Sequence, residues 1–325
     1  MKRMFLFLVI ICLMTGCGKL SDKDVIHNIE NKIDKGYKLN GKLVVNNNDE
    51  VYNYDVLVSY KKPDYYKVEL TNTSNDHTQI ILKNKKGVYV LTPSLNKSFR
   101  FQSDWPYNNS QIYLINTLIN DMKDTKDVTF KNDKDKYYFK TKVNYPNNSK
   151  LINQRIIIDK DLKFKEASVY DKNDIEVMNI KFDKIDYSPK FKKDEFEINN
   201  IIKNNDEVME TGNLDDVIYP LFVPNGTKLV DEEKIDKTNG KRVIMNYDGE
   251  KSFLLVEETA EVFDEFTIIP TLGEPYFLQD TLGVMNDNSL SWTSGGIDFY
   301  LTSDNLTQPE LFEVAESVIG TLSTK

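Results

Sequence analysis

Residues Asn84–Pro106, NKKGVYVLTPSLNKSFRFQSDWP, decide the fold. Gly87 opens an apolar run, Val88-Tyr89-Val90-Leu91-Thr92, built from the β-branched and aromatic types that suit a pleated surface. Pro93, Ser94 and Asn96 then punctuate the chain, because proline fixes φ and serine and asparagine form local turn bonds. Lys97–Gln102 follows as a second strand, with Phe99 and Phe101 on one face and Arg100 and Gln102 on the other. The stretch reads as a β-hairpin.

Its neighbours read the same way. Tyr37–Val45, Tyr65–Leu70 and Thr78–Lys83 are strand-like, and Val51–Tyr60 alternates, with Tyr52, Tyr54, Val56, Val58 and Tyr60 on one face. Ser21 with Asp24 forms a cap for a helix whose apolar stripe is Val25, Ile26, Ile29 and Ile33. After Trp105-Pro106 the period changes. Ser110 is the candidate cap of a second helix carrying Ile112, Ile115, Leu118, Ile119 and Met122. Val128–Phe130, Tyr137–Val143, Leu151–Asp159, Phe164–Tyr170 and Ile175–Tyr187 then make a meander. The pattern predicts one large curved sheet with helices on its concave side.

The 325-residue chain has room for two domains. Residues 1–16 are a signal segment: Lys2 and Arg3 precede an apolar run, Met4–Met14, too short to span a bilayer as a mature helix. It ends at Met14-Thr15-Gly16-Cys17, which resembles a bacterial lipobox with Cys17 as the lipid attachment point. Cys12 leaves with the signal and Cys17 is acylated, so no thiol remains for a disulfide or a metal. An acylated cysteine places the protein on the extracytoplasmic face of the cell membrane.

Charge divides the rest. Residues 17–200 hold 32 Lys and Arg against 27 Asp and Glu, whereas residues 201–325 hold 8 against 24. Such asymmetry predicts two separate units, a first domain over 17–200 and an acidic α+β domain over 201–325. In the second, Thr227–Ile235 is a strand, Lys241–Tyr247 and Ser252–Glu258 form a hairpin, and Leu290–Thr293 pairs with Ile297–Leu301 across Ser294-Gly295-Gly296. Thr307-Gln308-Pro309-Glu310 is a capping box for a closing helix with Leu311, Val314, Ala315 and Val318 as its buried stripe.

Chemistry is scarce. His27 and His77 lie in a helix and a polar turn and are expected to face solvent. The chain has no H-E-x-x-H, no G-x-S-x-G, no P-loop and no dinucleotide fingerprint. Glu257-Glu258 and Asp231-Glu232-Glu233 read as solvated surface, and an acidic pI with an exported address opposes nucleic-acid binding. No catalytic residue, metal or cofactor is expected. Apolar surface remains as the functional material. Val88 and Val90 stand opposite Tyr89 and Leu91, and Ile156 and Ile158 opposite Ile157, so both sheet faces are apolar. Either helices cover the second face fully, or the cover is partial and leaves a lipid-sized cavity.

Residues 20–200 resemble the LolA lipoprotein-carrier superfamily, through Pro63-Asp64-Tyr65-Tyr66-Lys67 and the glycine-led strand Gly87–Pro93. Leu91-Thr92-Pro93 through Trp105-Pro106 is similar to the lipid-anchored versions in spore-forming Firmicutes, of the YdcC and GerS type. Leu290-Ser291-Trp292, Ile297–Leu301 and Leu306–Ser317 resemble the DUF4367 domain. The resemblance implies an incomplete antiparallel barrel with helices in its mouth, followed by a small α+β domain. Lys67 stands where soluble carriers favour arginine. The expected function is a membrane-anchored, non-enzymatic lipoprotein of sporulation or envelope maintenance. It would bind a lipid, acyl chain or hydrophobic segment in a cavity lined by Val88, Val90, Phe99, Phe101 and Trp105. The alternative is an interaction scaffold for an envelope or spore-cortex enzyme.

Overall fold

The computed structural model describes residues 19–47, 50–124, 127–146, 148–203, 212, 214, 216–278 and 280–323. The expected signal segment 1–16, Cys17, and residues 204–211 at the expected domain junction lie outside the described residues.

The expected strands are present as β1 (Tyr37–Asn47), β2 (Glu50–Lys61), β3 (Tyr65–Asn72), β4 (Thr78–Asn84), β5 (Gly87–Thr92) and β6 (Lys97–Phe101). They continue with β7 (Thr129–Asn132), β8 (Lys136–Lys142), β9 (Leu151–Asp159), β10 (Phe164–Asp171) and β11 (Glu176–Asp186). From the C-terminal part come β12 (Thr227–Lys237), β13 (Gly240–Gly249), β14 (Phe253–Thr259), β15 (Thr267–Thr271), β16 (Glu274–Phe277), β17 (Leu282–Met285), β18 (Ser289–Ser294) and β19 (Ile297–Thr302). Two sheets result. The first runs β15-β6-β5-β4-β3-β2-β1-β11-β10-β9-β8-β7, and the second β12-β13-β14-β19-β18-β17-β16. Neither closes into a barrel, and β15 and β7 are the edges of the larger one.

Helix α1 (Asp22–Ile33) starts as its sequence dictates. Ser21 Oγ accepts the Asp24 N–H at 3.2 Å, while the Ser21 N–H donates to Asp24 Oδ2 at 2.9 Å. Val25, Ile26, Ile29 and Ile33 are buried against the sheet, each worth about 1.5–3 kcal/mol of apolar transfer. Helix α2 (Ile115–Lys123) buries Ile115, Leu118, Ile119 and Met122 beside it. Ser110 does not cap it. Leu114 occupies the cap position, and the free Ile115 N–H donates to the Tyr37 hydroxyl at 3.1 Å. Ser110 Oγ donates instead to the Asp121 carboxylate at 3.0 Å.

The two-faced strands find a cover on each side. Val88 and Val90 join the large core under α1 and α2, whereas Tyr89 and Leu91 pack on the outer face with Phe196 and Ile201. That outer cover is the strap ending in α3 (Ile198–Lys203). Ile157 is half-buried on a stretch of outer face farther along the sheet.

The C-terminal helix α4 (Gln308–Ser323) keeps the Glu310 half of its expected capping box. The Thr307 N–H donates to Glu310 Oε2 at 2.9 Å, and Leu311, Val314, Ala315 and Val318 are fully buried. Between β18 and β19 the turn residues Gly295 and Gly296 have φ of +56° and +76°, values glycine adopts without strain. Leu214–Phe222 forms no helix or strand at the positions described. Strand β15 is the least expected element: it leaves the acidic half and runs parallel to β6 in the first sheet, Ile269 beside Phe99. Among the described residues every buried hydrophobic side chain lies between Val25 and Val318.

Candidate functional site

The residues expected to line a cavity are placed in two groups. Val88, Phe101 and Trp105 are about 1% exposed and packed in the core, with Val88 opposite Phe101 across β5 and β6. Trp105 stands edge-on to Tyr66, ring centres 5.7 Å apart. Val90 and Phe99 border a small cavity of about 190 Å³, walled on its far side by Trp292 and Phe299 of the second sheet. Within the curved sheet, α1 and α2 fill the concave side.

A more spacious apolar cavity, about 380 Å³, lies where the two sheets meet. The ends of β1 and β11 bring Val45, Val177 and Met178, and the loop after Trp105 brings Ile112 and Tyr113. The opposite wall is Tyr276 and Phe277 of β16 with Phe312 of α4. Each element arrives there for a local reason. Tyr276 and Phe312 stack edge to face at 5.1 Å, which ties β16 to α4. Tyr113 is held by its hydroxyl donating to Gln111 Oε1 at 2.5 Å. The size falls within the range of about 300–1,000 Å³ typical of small-molecule pockets.

The polar groups around this cavity are carboxamides, Asn46, Asn109, Gln111 and Asn148, and acids. Asp171, Glu176 and Glu316 line it, and the cation on its wall, Lys150, pairs with Glu313 at 3.0 Å. Burial raises the Tyr113, Tyr145 and Tyr276 hydroxyls far above the usual tyrosine range, so they are neutral hydrogen-bonding groups. Asp121 is raised to about 6 by burial, opposed by hydrogen bonds from Ser110 and Gln154. Gln154 Nε2 donates to it at 2.6 Å.

The sequence reading of the acidic pairs needs one correction. Glu257 is not solvated surface: it is fully buried and its carboxylate accepts the Ile218 N–H at 3.1 Å. The alternation Phe253, Leu255, Glu257 along β14 puts it on the core face, and that period was the signal for it. Glu258 points the other way and pairs with Arg242 at 2.5 Å. His27 is exposed and shares a 3.1 Å hydrogen bond with Asn31, and His77 is half-buried in its turn. Among the described residues no group of three or more His, Cys, Asp or Glu could hold a metal ion, and no helix is long and apolar enough to cross a membrane.

An open, largely antiparallel half-barrel stoppered by its own helices, with a second sheet and a terminal helix docked on it, defines the architecture. The chain belongs to the family of the sporulation protein YdcC. That protein of Bacillus subtilis (strain 168) is 37% identical over 320 residues, which covers 96% of this chain and 95% of the relative. No family model matches the chain. Among solved structures, a putative outer membrane lipoprotein-sorting protein domain from Vibrio parahaemolyticus is 10% identical, with a TM-score of 0.32, covering 56% of this chain and 100% of its own. The CwlD amidase of Clostridioides difficile in complex with the GerS lipoprotein contains a chain 16% identical, with a TM-score of 0.24, covering 54% of this chain and 100% of that one.

Proposed function

We propose that this YdcC-family protein is a non-catalytic, extracytoplasmic lipoprotein, anchored through Cys17, that holds an acyl chain or another hydrophobic segment in the cavity between its two sheets. The observation that carries the reading is that cavity: about 380 Å³, walled by Ile112, Tyr113, Met178, Phe277 and Phe312, beside a concave face already filled by helices. A space of that size, with an apolar wall on each side, is large enough for an acyl chain. This cavity is distinct from the lining expected on β5 and β6, of which Val90 and Phe99 border the smaller one. A fluorescent acyl probe should bind the chain from Lys19 onward saturably and with one-to-one stoichiometry. Val177→Trp, on the half-buried wall of the cavity, should abolish binding with folding intact; undiminished binding would refute the location.

A second reading, the interaction scaffold, has its own support. Strand β12 is an 11-residue edge strand with Leu229 and Val230 exposed, adjoining exposed Tyr219, Leu221 and Phe222. An unpaired edge with apolar side chains is a template for a partner's strand. Crosslinking from Val230 in sporulating cells tests it: capture of one abundant envelope protein supports the scaffold, and recovery of none counts against it.

A further inference from the structure

We infer that the ligand of the junction cavity is an amphiphile with an uncharged, hydroxyl-rich head of the glycolipid kind; this rests on the acyl-binding reading above. A second cleft adjoins the chamber. Asn109 and Tyr276 are shared with this cleft of about 570 Å³, whose character is different. Its lining is dominated by carboxamides: Asn108, Asn109, Asn286, Asn288 and Gln308. A carboxamide offers two donors and an acceptor in one plane, which matches a sugar hydroxyl, itself both donor and acceptor.

Two features make this a prepared surface. Gln308 Nε2 donates to the Asn286 carbonyl at 3.1 Å, and Asn288 Nδ2 to Asp304 Oδ1 at 3.3 Å, so these two amides are oriented. Among the described residues Asn108 Oδ1 is buried with no hydrogen-bond partner, although its own backbone carbonyl accepts from Asn144 Nδ2 at 3.0 Å. A buried acceptor without a donor costs free energy unless a ligand or water supplies one.

Charge decides against the commoner lipid heads. Among the described residues the cleft is lined by Glu274 and Asp287 and by no lysine or arginine, and the chamber adds Asp171, Glu176 and Glu316. Lys150 is already paired with Glu313. A phosphate or carboxylate head would meet carboxylates with no cation to offset them. Neutral hydroxyls meet no such barrier.

The test uses the chain from Lys19 onward, which contains the hydrophobic core of the described residues, and three probes of one chain length: dodecyl glucoside, dodecanoate and dodecylamine, titrated below micelle formation. The glucoside is expected to bind at least roughly tenfold more tightly than dodecanoate. Asn108→Ala is expected to weaken the glucoside roughly threefold to tenfold, the size of one hydrogen bond, and to leave dodecylamine unchanged. Equal binding of glucoside and dodecanoate would overturn the inference while sparing the acyl-binding reading. Tightest binding of dodecylamine would also overturn it, because the acids rather than the amides would then select the head. Failure of all three probes would overturn both readings.

Discussion

Ile269 lies beside Phe99 in parallel register, so a strand from the acidic half of the chain completes the edge of the sheet built by the basic half. Around it, the Thr267 N–H donates to the Asn96 carbonyl at 2.8 Å and Asn96 Nδ2 to the Phe263 carbonyl at 2.8 Å. Lys97, on the strand next to β15, reaches Asp298 of the second sheet at 3.2 Å. The hairpin that begins the fold is therefore also the seam between its halves.

That seam predicts a local rather than global weakness. Strand β15 contains no fully buried side chain, and its hydrogen bonds lie at the sheet edge. Ile269→Asp should cost about 1–2 kcal/mol and raise amide exchange over 263–271 while β1–β4 exchange as before. Uniformly faster exchange in both sheets would contradict it.

Trp105 should behave as core. It is 1% exposed, and its backbone carbonyl accepts from Lys83 Nζ at 2.6 Å. Trp105→Ala is expected to cost about 3–5 kcal/mol by chemical denaturation. The acyl-probe affinity of the folded fraction should be unchanged, because Trp105 does not line the junction cavity.

Stability should depend on pH through Asp121. Its folded value of about 6 stands above the ordinary 3.8, so the folded state binds the proton more tightly than the unfolded chain. Stability from this group rises as pH falls through about 6 and levels off near 4; ionised Asp121 is a burden at neutral pH. Asp280, also raised to about 6 by burial, adds a second contribution of the same sign. Asp121→Asn should stabilise the protein by about 1–2 kcal/mol at pH 7.5 and roughly halve the slope between pH 7 and 5. An unchanged slope in thermal melts would rule out this assignment.

Cys17→Ser separates anchoring from folding. The variant is expected to move from the membrane to the soluble extracytoplasmic fraction and to lose incorporation of labelled palmitate, with the melting curve unaltered. Retention in the membrane would show that Cys17 is not the attachment point.

Much of this architecture was legible in the residues. The alternation of Tyr52, Tyr54, Val56, Val58 and Tyr60 is reproduced as a buried row along β2, and the boundaries of β9 match the reading to the residue. Ser21 caps its helix, and Glu310 reaches back to Thr307, because each is a bond over three residues. Ser110 misled for the converse reason: its partner Asp121 is 11 residues away, and the helix end it was expected to cap is satisfied by Tyr37, 78 residues upstream of Ile115. Strands β15, β16 and β17 were not foreseen. Each is four or five residues long and takes its place from partners already folded.

The sequence by itself determined the local order: which segments are strands, which faces are apolar, where the helices start, and how charge is split between the halves. Those properties rest on spacings of two to four residues, which a chain displays before it folds. Tertiary structure decided the rest: that α1 and α2 fill the concave face, that β15 crosses into the first sheet beside Phe99, and that open apolar space lies between Met178 and Phe312. A cavity is the volume left between elements after they pack, so no single stretch of sequence encodes it.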